Sequence, residues 1–177
     1  MVSVLAPPEL YTFIGGEPPT LEELRARYER QAGGGPADGS QVWHNWIVRR
    51  AEGGTAVGAE SGAAVSPGDG AVVGPAAGSA VGTVQATVVD AGRAAEVAWV
   101  VGTEFQGRGY AVEAAGAMIA WLREHGVAEV RAHVHPEHAA SARVAERIGL
   151  TATGERDDEG EQVWRSVPAV MIEEANR

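Results

Sequence analysis

The chain has 177 residues, a net charge of −10, no cysteine and no lysine, so that all 14 of its basic residues are arginine. This length fits one domain with a substantial core, and the negative charge disfavours non-specific binding to nucleic acid or to anionic membranes. The missing residue types exclude disulfides, thiolate metal sites, a cysteine-bound acyl intermediate and a Schiff-base lysine. No apolar run approaches about 18 residues and no signal-peptide pattern is present, so a cytoplasmic protein is expected.

Two helices are predicted before the first strand. A short helix is expected at residues 9–14, and a longer one begins at Thr20, which forms a capping-box pattern with Glu23. Residues 42–50 are then typical of a strand. The buried face of the longer helix is predicted from apolar side chains at helical spacing, namely Leu21, Leu24 and Tyr28.

A low-complexity stretch separates this strand from a predicted hairpin. Residues 53–79 consist almost entirely of Gly, Ala, Ser, Val and Pro, which favours a flexible insertion within a single domain of residues 1–177. Two strands are then predicted at 80–89 and 94–101, joined by a turn that begins Asp-Ala-Gly.

The second half of the chain alternates helices and strands and indicates an α+β fold on a mixed sheet. A helix that ends near Gly126 is followed by a strand at 127–135 and a second helix at 139–148. A hairpin of strands 150–155 and 161–167 comes next, and residues 168–177 fit either a helix or an irregular tail. Apolar spacing predicts the core faces of the two helices as Val112, Ala115, Ile119 and Leu122, and as Ala140, Val144 and Ile148.

One segment carries the strongest functional signal. It links the strand at 94–101 to the following helix and consists of Gln106, Gly107, Arg108, Gly109, Tyr110 and Ala111. A strand that breaks into a glycine-rich turn and then a helix aims several backbone N–H groups, and the positive end of the helix dipole, at one point. The segment therefore predicts an anion site suited to a pyrophosphate.

Two common phosphate-binding patterns do not fit this turn. The dinucleotide fingerprint needs a third glycine where the chain has Val112, and the nucleoside-triphosphate loop needs a lysine, which the chain lacks. The spacing that fits is Q/R-x-x-G-x-G/A. For the turn taken alone, an ordinary strand–turn–helix link with glycines for tight packing remains the alternative.

The loop resembles the acetyl-CoA loop of the GNAT superfamily of N-acetyltransferases, and the order of elements is similar too. Within the superfamily the chain looks like the RimJ/RimL branch of protein N-terminal acetyltransferases. The segments that carry the resemblance are residues 9–20, 43–47, 96–111 and 135–150. The likeness covers most of the chain outside the 53–79 stretch.

The resemblance implies a mixed, mostly antiparallel sheet with helices on both faces and a parallel strand pair that splays apart. Three departures from the branch stand out. The chain starts too late to hold a full strand before the first helix, so the first strand is expected to be truncated or missing. His138 stands where Asn is common, and Ala145 stands where many members have a tyrosine general acid.

By resemblance, the chain is an acyl-CoA-dependent N-acyltransferase that passes an acetyl group from acetyl-CoA to a primary amine by direct attack in a ternary complex. The residues expected to bind the co-substrate are Val100, Val101, Gln106, Gly107, Arg108, Gly109, Tyr110, Ala111, His138 and Ser141. Glu96 is the expected base, directly or through water. Ser141 is expected near the sulfur, unless it only stabilises the first turn of its helix. A main-chain N–H near Val100, in a bulged strand, is expected to hold the oxyanion.

Several alternatives stay open. The acceptor is either a protein N-terminus or a small amine, a homodimer is an open option, and neither nucleic acid nor a membrane is expected as a partner. A competing hypothesis is a catalytically degenerate domain that binds acyl-CoA as a sensor or partner module. His133, His135 and His138 have metal-like spacing without a carboxylate at a defined offset, so no metal site is expected. His44, beside two tryptophans, fits either the acceptor pocket or ordinary sheet packing.

Overall fold

The computed structural model describes residues 1–50 and 78–166. In this part of the chain, five α-helices surround a six-stranded sheet. The helices are α1 (Val2–Leu5), α2 (Tyr11–Ile14), α3 (Leu21–Ala32), α4 (Tyr110–Glu124) and α5 (Ala139–Arg147). The strands are β1 (Val42–Arg49), β2 (Ala80–Val89), β3 (Ala94–Val101), β4 (Glu129–Val134), β5 (Leu150–Arg156) and β6 (Gln162–Ser166).

The sheet is antiparallel except for one pair of strands. Its order is β1-β2-β3-β4-β6-β5, and β3 and β4 run parallel at its centre. These two strands pair only between residues 94–96 and 129–131, although β3 continues to Val101 and β4 to Val134. Beyond the paired residues the strands diverge and leave an opening, the wedge, toward which backbone groups point without a strand partner. The predicted splayed parallel pair is therefore present.

The main core lies between one face of the sheet and α4. Alternate strand residues point to this face, and Ala145 of α5 joins the same core. Its deeply buried members include Val84, Ala86, Ala95, Val130, Ala132, Val134 and Leu150 from the strands and Ala115, Met118, Ile119 and Leu122 from α4. The intervening strand residues point the other way and form a second, more polar face of the sheet.

Helix α3 covers part of this second face. It begins with the predicted capping box, in which Thr20 accepts a hydrogen bond from the Glu23 N–H and the Glu23 carboxylate accepts one from the Thr20 N–H. Leu24 is its buried residue, and the Gln31 side chain donates to that of Gln85 on β2 at 3.4 Å. Because Gln85 alternates with the core residues of β2, α3 lies on the face opposite α4.

The structure confirms the predicted fold class and corrects some details. Of the three residues predicted to form the buried face of α3, only Leu24 is buried, because Leu21 is 55% exposed and Tyr28 is half-buried. Residues 1–41 form helices and turns, and among the described residues β1 is the first strand. The predicted insertion lies outside the described residues except for its last two positions, and so does the predicted helix at 168–177. None of the helices in the described ranges is long and apolar enough to span a bilayer.

Candidate active site

The wedge opens into a cleft with a volume of about 290 Å³. The end of β3 and the glycine-rich turn form one side, α5 forms another, and α2 with the turn before it lies across them. Of the residues predicted to bind the co-substrate, all except Arg108 line this cleft. The roles proposed for those residues stay predictions, but the structure brings them together in one place.

The glycine-rich turn presents a run of backbone donors. Gly107 and Gly109 have φ angles of +75° and +89°, a region that favours glycine, and Gly109 is the N-cap of α4. Within the described chain, the N–H groups of residues 107–112 donate no hydrogen bond, whereas those of Gln106 and Glu113 on either side are bonded at 3.3 and 3.0 Å. Consecutive free donors beside the positive end of a 15-residue helix are the arrangement with which proteins commonly bind anions.

The side chain of Gln106, the first residue of the motif, links this turn to the end of β3. Its Nε2 donates to the carbonyl oxygen of Val101 at 3.0 Å. That carbonyl faces the side from which β4 has moved away, so the glutamine amide replaces part of a missing strand neighbour. This contact gives a physical reason for a glutamine at the first position of the motif.

The ladder between β2 and β3 decides which N–H groups of β3 face the wedge. The Gly102 N–H donates to the Val81 carbonyl at 2.9 Å, so these two opposed residues form a hydrogen-bonded pair. Such pairs alternate along an antiparallel ladder, so Thr83 and Val100, two positions further, also direct their backbone N–H and C=O groups at each other. The N–H groups of Trp99 and Val101 point into the wedge instead. The register is continuous along this ladder, so the bulge predicted near Val100 is absent. The wedge-facing donors are those of Trp99 and Val101 and not that of Val100.

One surface of α5 forms the opposite wall of the cleft. Ala140, Ser141 and Val144 line the cleft, and Ala145 is the fully buried residue of the helix. The prediction that Ala140 and Val144 face the core is therefore wrong, because this apolar surface borders the cleft. The N-terminus of α5 has no side-chain cap, so capping is not the role of Ser141.

Short helix α2 and the turn before it border the cleft next to the N-terminus of α5. Leu10 and Ile14 line the cleft. The ring of Phe13 stacks on that of His138 with centroids 4.5 Å apart, and lies 5.2 Å from that of His135. Burial and, more weakly, the neighbouring His135 lower the pKa of His138 from its ordinary value, which favours the neutral form of the stacked ring.

Three arginines stand at or near the cleft of this acidic protein. Arg143 and Arg147 line it one turn apart on α5, while Arg108 lies in the glycine-rich turn outside the lining. None of the three makes an ion pair within the described ranges. Arginines left unpaired beside a cleft favour an anionic ligand there.

Glu96, the predicted base, lies outside the cleft lining on the polar face of the sheet. It is exposed and pairs in register with Arg131 of β4. The pKa of Arg131 is raised by its hydrogen bond to Glu129 and, more weakly, by the charges of Asp90 and Glu96. Glu96 therefore stands close to a guanidinium, and its role as base stays a prediction.

The three histidines with metal-like spacing separate into two environments. His133 bonds to Asp157, whereas His135 and His138 contact Phe13. No group of three potential metal ligands comes together among the described residues.

His44 belongs to an aromatic cluster between β1 and α4. Its ring stacks on that of Trp46 and meets Trp121 edge-on at 4.8 Å, and Trp121 in turn stacks on His125. His44 does not line the cleft. This arrangement agrees with the sheet-packing alternative.

Sequence reasoning missed several residues of the cleft. Trp99 and Phe105 line it, as do Arg143 and Arg147. The two arginines had a detectable signal, because their spacing of four residues places them on one side of α5, next to Ser141.

Comparison with known proteins gives a consistent result. The family model of the acetyltransferase (GNAT) domain matches residues 1–151. No curated protein matches the sequence significantly. Among solved structures, spermidine N-acetyltransferase from Vibrio cholerae, in complex with CoA and spermine, is 16% identical with a TM-score of 0.62, over 93% of this chain and 84% of that one.

Two further structures have the same fold. The aminoglycoside acetyltransferase AAC(6')-Ib, in complex with paromomycin and acetyl-CoA, is 16% identical with a TM-score of 0.63, over 99% of this chain and 90% of that one. A domain from Methanocaldococcus jannaschii is 17% identical with a TM-score of 0.62, over 93% and 87%. At these identities the structures establish a shared fold, and the family model, which spans most of the sequence, establishes the family. The chain belongs to the GNAT family of acetyltransferase domains.

Proposed function

We propose that this chain is an N-acetyltransferase that moves the acetyl group of acetyl-CoA to a primary amine by direct attack in a ternary complex. The observation that carries the proposal is the run of unbonded N–H groups at residues 107–112, at the mouth of the wedge. A diphosphate has the charge and the acceptor atoms that such a run of donors requires. Membership of a family of acetyltransferase domains supports coenzyme A as the source of this diphosphate.

The rest of the cleft supports the same ligand. Arg143 and Arg147 offer cations to its phosphates, and the wedge-facing backbone groups of Trp99 and Val101 offer hydrogen bonds to an extended, amide-bearing arm. Bound acetyl-CoA would supply an activated thioester with a thiolate as leaving group. Ser141 is proposed to hydrogen-bond the arm or the sulfur from the wall formed by α5.

The missing tyrosine does not argue against catalysis. Ala145 is fully buried in the core. A thiolate whose conjugate acid has a pKa of about 8.5 leaves near neutral pH without strong help from a general acid. The alternative of a degenerate acyl-CoA sensor therefore gains no decisive support from this position.

For the acceptor we favour a protein or peptide N-terminus, as in the RimJ/RimL branch. This choice is supported by the resemblance of residues 9–20 and 135–150 to that branch, two segments that meet beside the cleft where Phe13 stacks on His138. A small polyamine or aminoglycoside is the alternative, because solved structures of the same fold contain such ligands. A cytoplasmic location and a homodimer stay predictions.

Two measurements test the proposal. Calorimetric titration with acetyl-CoA is expected to give one site per chain, and thiol release is expected with a peptide that has a free N-terminus. The same peptide with an acetylated N-terminus is the matched control, and spermidine tests the small-amine alternative. Binding without thiol release from any amine would support the sensor, and no binding would overturn the proposal.

A further inference from the structure

His133 and Asp157 form a dyad on the polar face of the sheet. The Nδ1 of His133 lies 2.6 Å from Oδ2 of Asp157, a residue 24 positions away in the turn between β5 and β6. The other carboxylate oxygen, Oδ1, accepts the N–H groups of Glu159 and Glu161 at 3.0 and 2.9 Å. Asp157 is therefore held by its own turn, with one oxygen directed at the imidazole.

The dyad fixes which nitrogen of His133 carries the proton. Partial burial raises the pKa of Asp157, but the hydrogen bonds from His133 and from the N–H groups of Glu161 and Glu159 outweigh it, so the pKa is lowered overall. An ionised carboxylate only accepts hydrogen bonds, so Nδ1 must donate. In neutral His133, Nε2 is therefore unprotonated and carries a free lone pair, and it has no hydrogen-bond partner within the described residues.

The rings of the neighbouring His135 and His138 make different contacts. The Glu137 N–H donates to Nδ1 of His135 at 3.2 Å, so in the neutral ring of His135 the proton resides on Nε2. His138 is stacked on Phe13 in the cleft wall. Of the three, His133 is the one whose tautomer is set by a carboxylate, as in enzymes that use an acid–histidine pair for proton transfer.

The position of His133 connects it with the wedge. Arg131 is the last residue of β4 that pairs with β3, so His133 is the first residue on the same strand face after the strands separate. His135, the next residue on this face, touches Phe13, and Phe13 touches His138 of the cleft lining. Neither His133 nor Asp157 lines the cleft itself, and the dyad lies beside it, on the polar face of the sheet where β3 and β4 separate, opposite the core helix α4.

We propose that His133 is the catalytic base of the acetyl transfer and that Asp157 is its positioning residue. The inference rests on the proposed function. The acceptor ammonium gives one proton to Nε2, and the freed nitrogen lone pair forms the C–N bond to the thioester carbonyl carbon. The C–S bond breaks with its electron pair on sulfur, the thiolate takes the second proton from the new N–H₂⁺ group, and imidazolium returns its proton to water.

The charges around the dyad suit a cationic acceptor. Asp157, Glu159 and Glu161 stand on the β5–β6 turn, and Glu96 stands on β3. Arg131 lies on the same strand as His133, His135 directly follows that strand, and Arg165 lies on β6, where it is engaged by Glu155 and Glu129. The side chain that α2 contributes here, Phe13, is uncharged. The carboxylates of the turn favour an ammonium ion near Nε2, whereas Glu96 is engaged electrostatically by Arg131.

The first experiment compares His133→Ala with His125→Ala, a matched removal of an exposed imidazole from the far end of α4. With spermidine and the free peptide as acceptors, His133→Ala is expected to lower kcat/KM at least about 100-fold. Acetyl-CoA affinity should not change in either variant. Free imidazole in the buffer should restore part of the lost activity of His133→Ala, and the ascending acidic limb of the pH–rate profile should disappear.

The second experiment tests the dyad without turnover. Nitrogen-15 NMR of the histidine rings in the full chain should report His133 in the Nδ1–H form, and Asp157→Asn should change this tautomer while thermal melting shows a folded protein. An Nε2–H tautomer in the unaltered chain would overturn the inference. So would activity of His133→Ala within threefold of the unaltered chain, whereas absent acetyl-CoA binding would overturn the proposed function itself.

Discussion

The cleft and the polar face beside it are built by different parts of the polypeptide. The cleft depends on backbone: the N–H groups of residues 107–112 and the unpaired edge of β3 where β4 moves away. The polar face depends on side chains, such as His133 and Asp157, that come from separate segments. A backbone site needs only the correct local conformation, whereas a side-chain site needs the whole sheet to assemble first.

This difference has a consequence for substitution. In the cleft, a change acts through φ angles and through which donors remain unbonded, so glycines matter more than charged residues. On the polar face, a change acts through proton location and charge, and the backbone is unaffected. Substitutions in the first region should therefore alter co-substrate affinity, and those in the second should alter turnover.

The largest effect on binding is expected for Gly109→Val. A Cβ at this position meets no atom within 4 Å, but φ is +89°, which a β-branched residue adopts only at a cost of about 1–2 kcal/mol or more. Relief of this strain would rotate the N–H groups of the turn, so we expect at least a 100-fold loss of acetyl-CoA affinity by calorimetry.

A matched control is available at the other end of the same helix. Gly126 has a φ of +90° and equally open surroundings, but lies away from the cleft lining. Gly126→Val should lower the melting temperature about as much as Gly109→Val and leave acetyl-CoA affinity unchanged. Equal affinity losses in the two variants would mean that strain in α4, and not the anion site, is responsible.

The same division explains what could be predicted from the sequence. The strand bounds of β2 and β3 and the glycine-rich turn follow from local patterns, because each depends on residues close together in the chain. The splayed pair joins strands about 35 residues apart and is predicted only from the family resemblance. The pairing of His133 with Asp157 depends on the β4–β6 register and on a turn between two strands. No local spacing encodes that contact. The surface of α5 was misassigned because apolar residues at helical spacing do not distinguish a core from a cleft.

An intermediate effect is expected for Arg147→Gln. Its guanidinium lines the cleft and makes no ion pair among the described residues, so its loss should remove one charge-assisted contact to a phosphate. We expect acetyl-CoA affinity to fall about tenfold at low salt and less at high salt. Arg123→Gln, in the last turn of α4, is the control. An affinity loss independent of salt would point to packing and not to charge.

A smaller effect is expected for Ser141→Ala. The hydroxyl lines the cleft and makes no side-chain cap for α5, so its removal should leave the melting temperature unchanged. Loss of one hydrogen bond of about 1 kcal/mol to the bound arm or sulfur should lower kcat/KM about fivefold. A fall in stability with unchanged kinetics would show instead that the serine supports the helix.

The smallest effect is expected for Glu96→Gln, and it separates the two candidate bases most directly. Like His133, Glu96 is exposed and lies outside the cleft lining, but its carboxylate stands beside the Arg131 guanidinium, which favours the ionised form over a role as proton acceptor. Removal of one surface charge at this distance should lower kcat/KM about threefold, mainly through KM, with the acidic limb of the pH–rate profile intact. Because the amide is isosteric with the carboxylate, folding and acetyl-CoA affinity should be unaffected. A loss as large as that expected for His133→Ala, carried by kcat and accompanied by loss of the acidic limb, would assign the proton to Glu96 and leave the dyad a structural clamp between β4 and the β5–β6 turn.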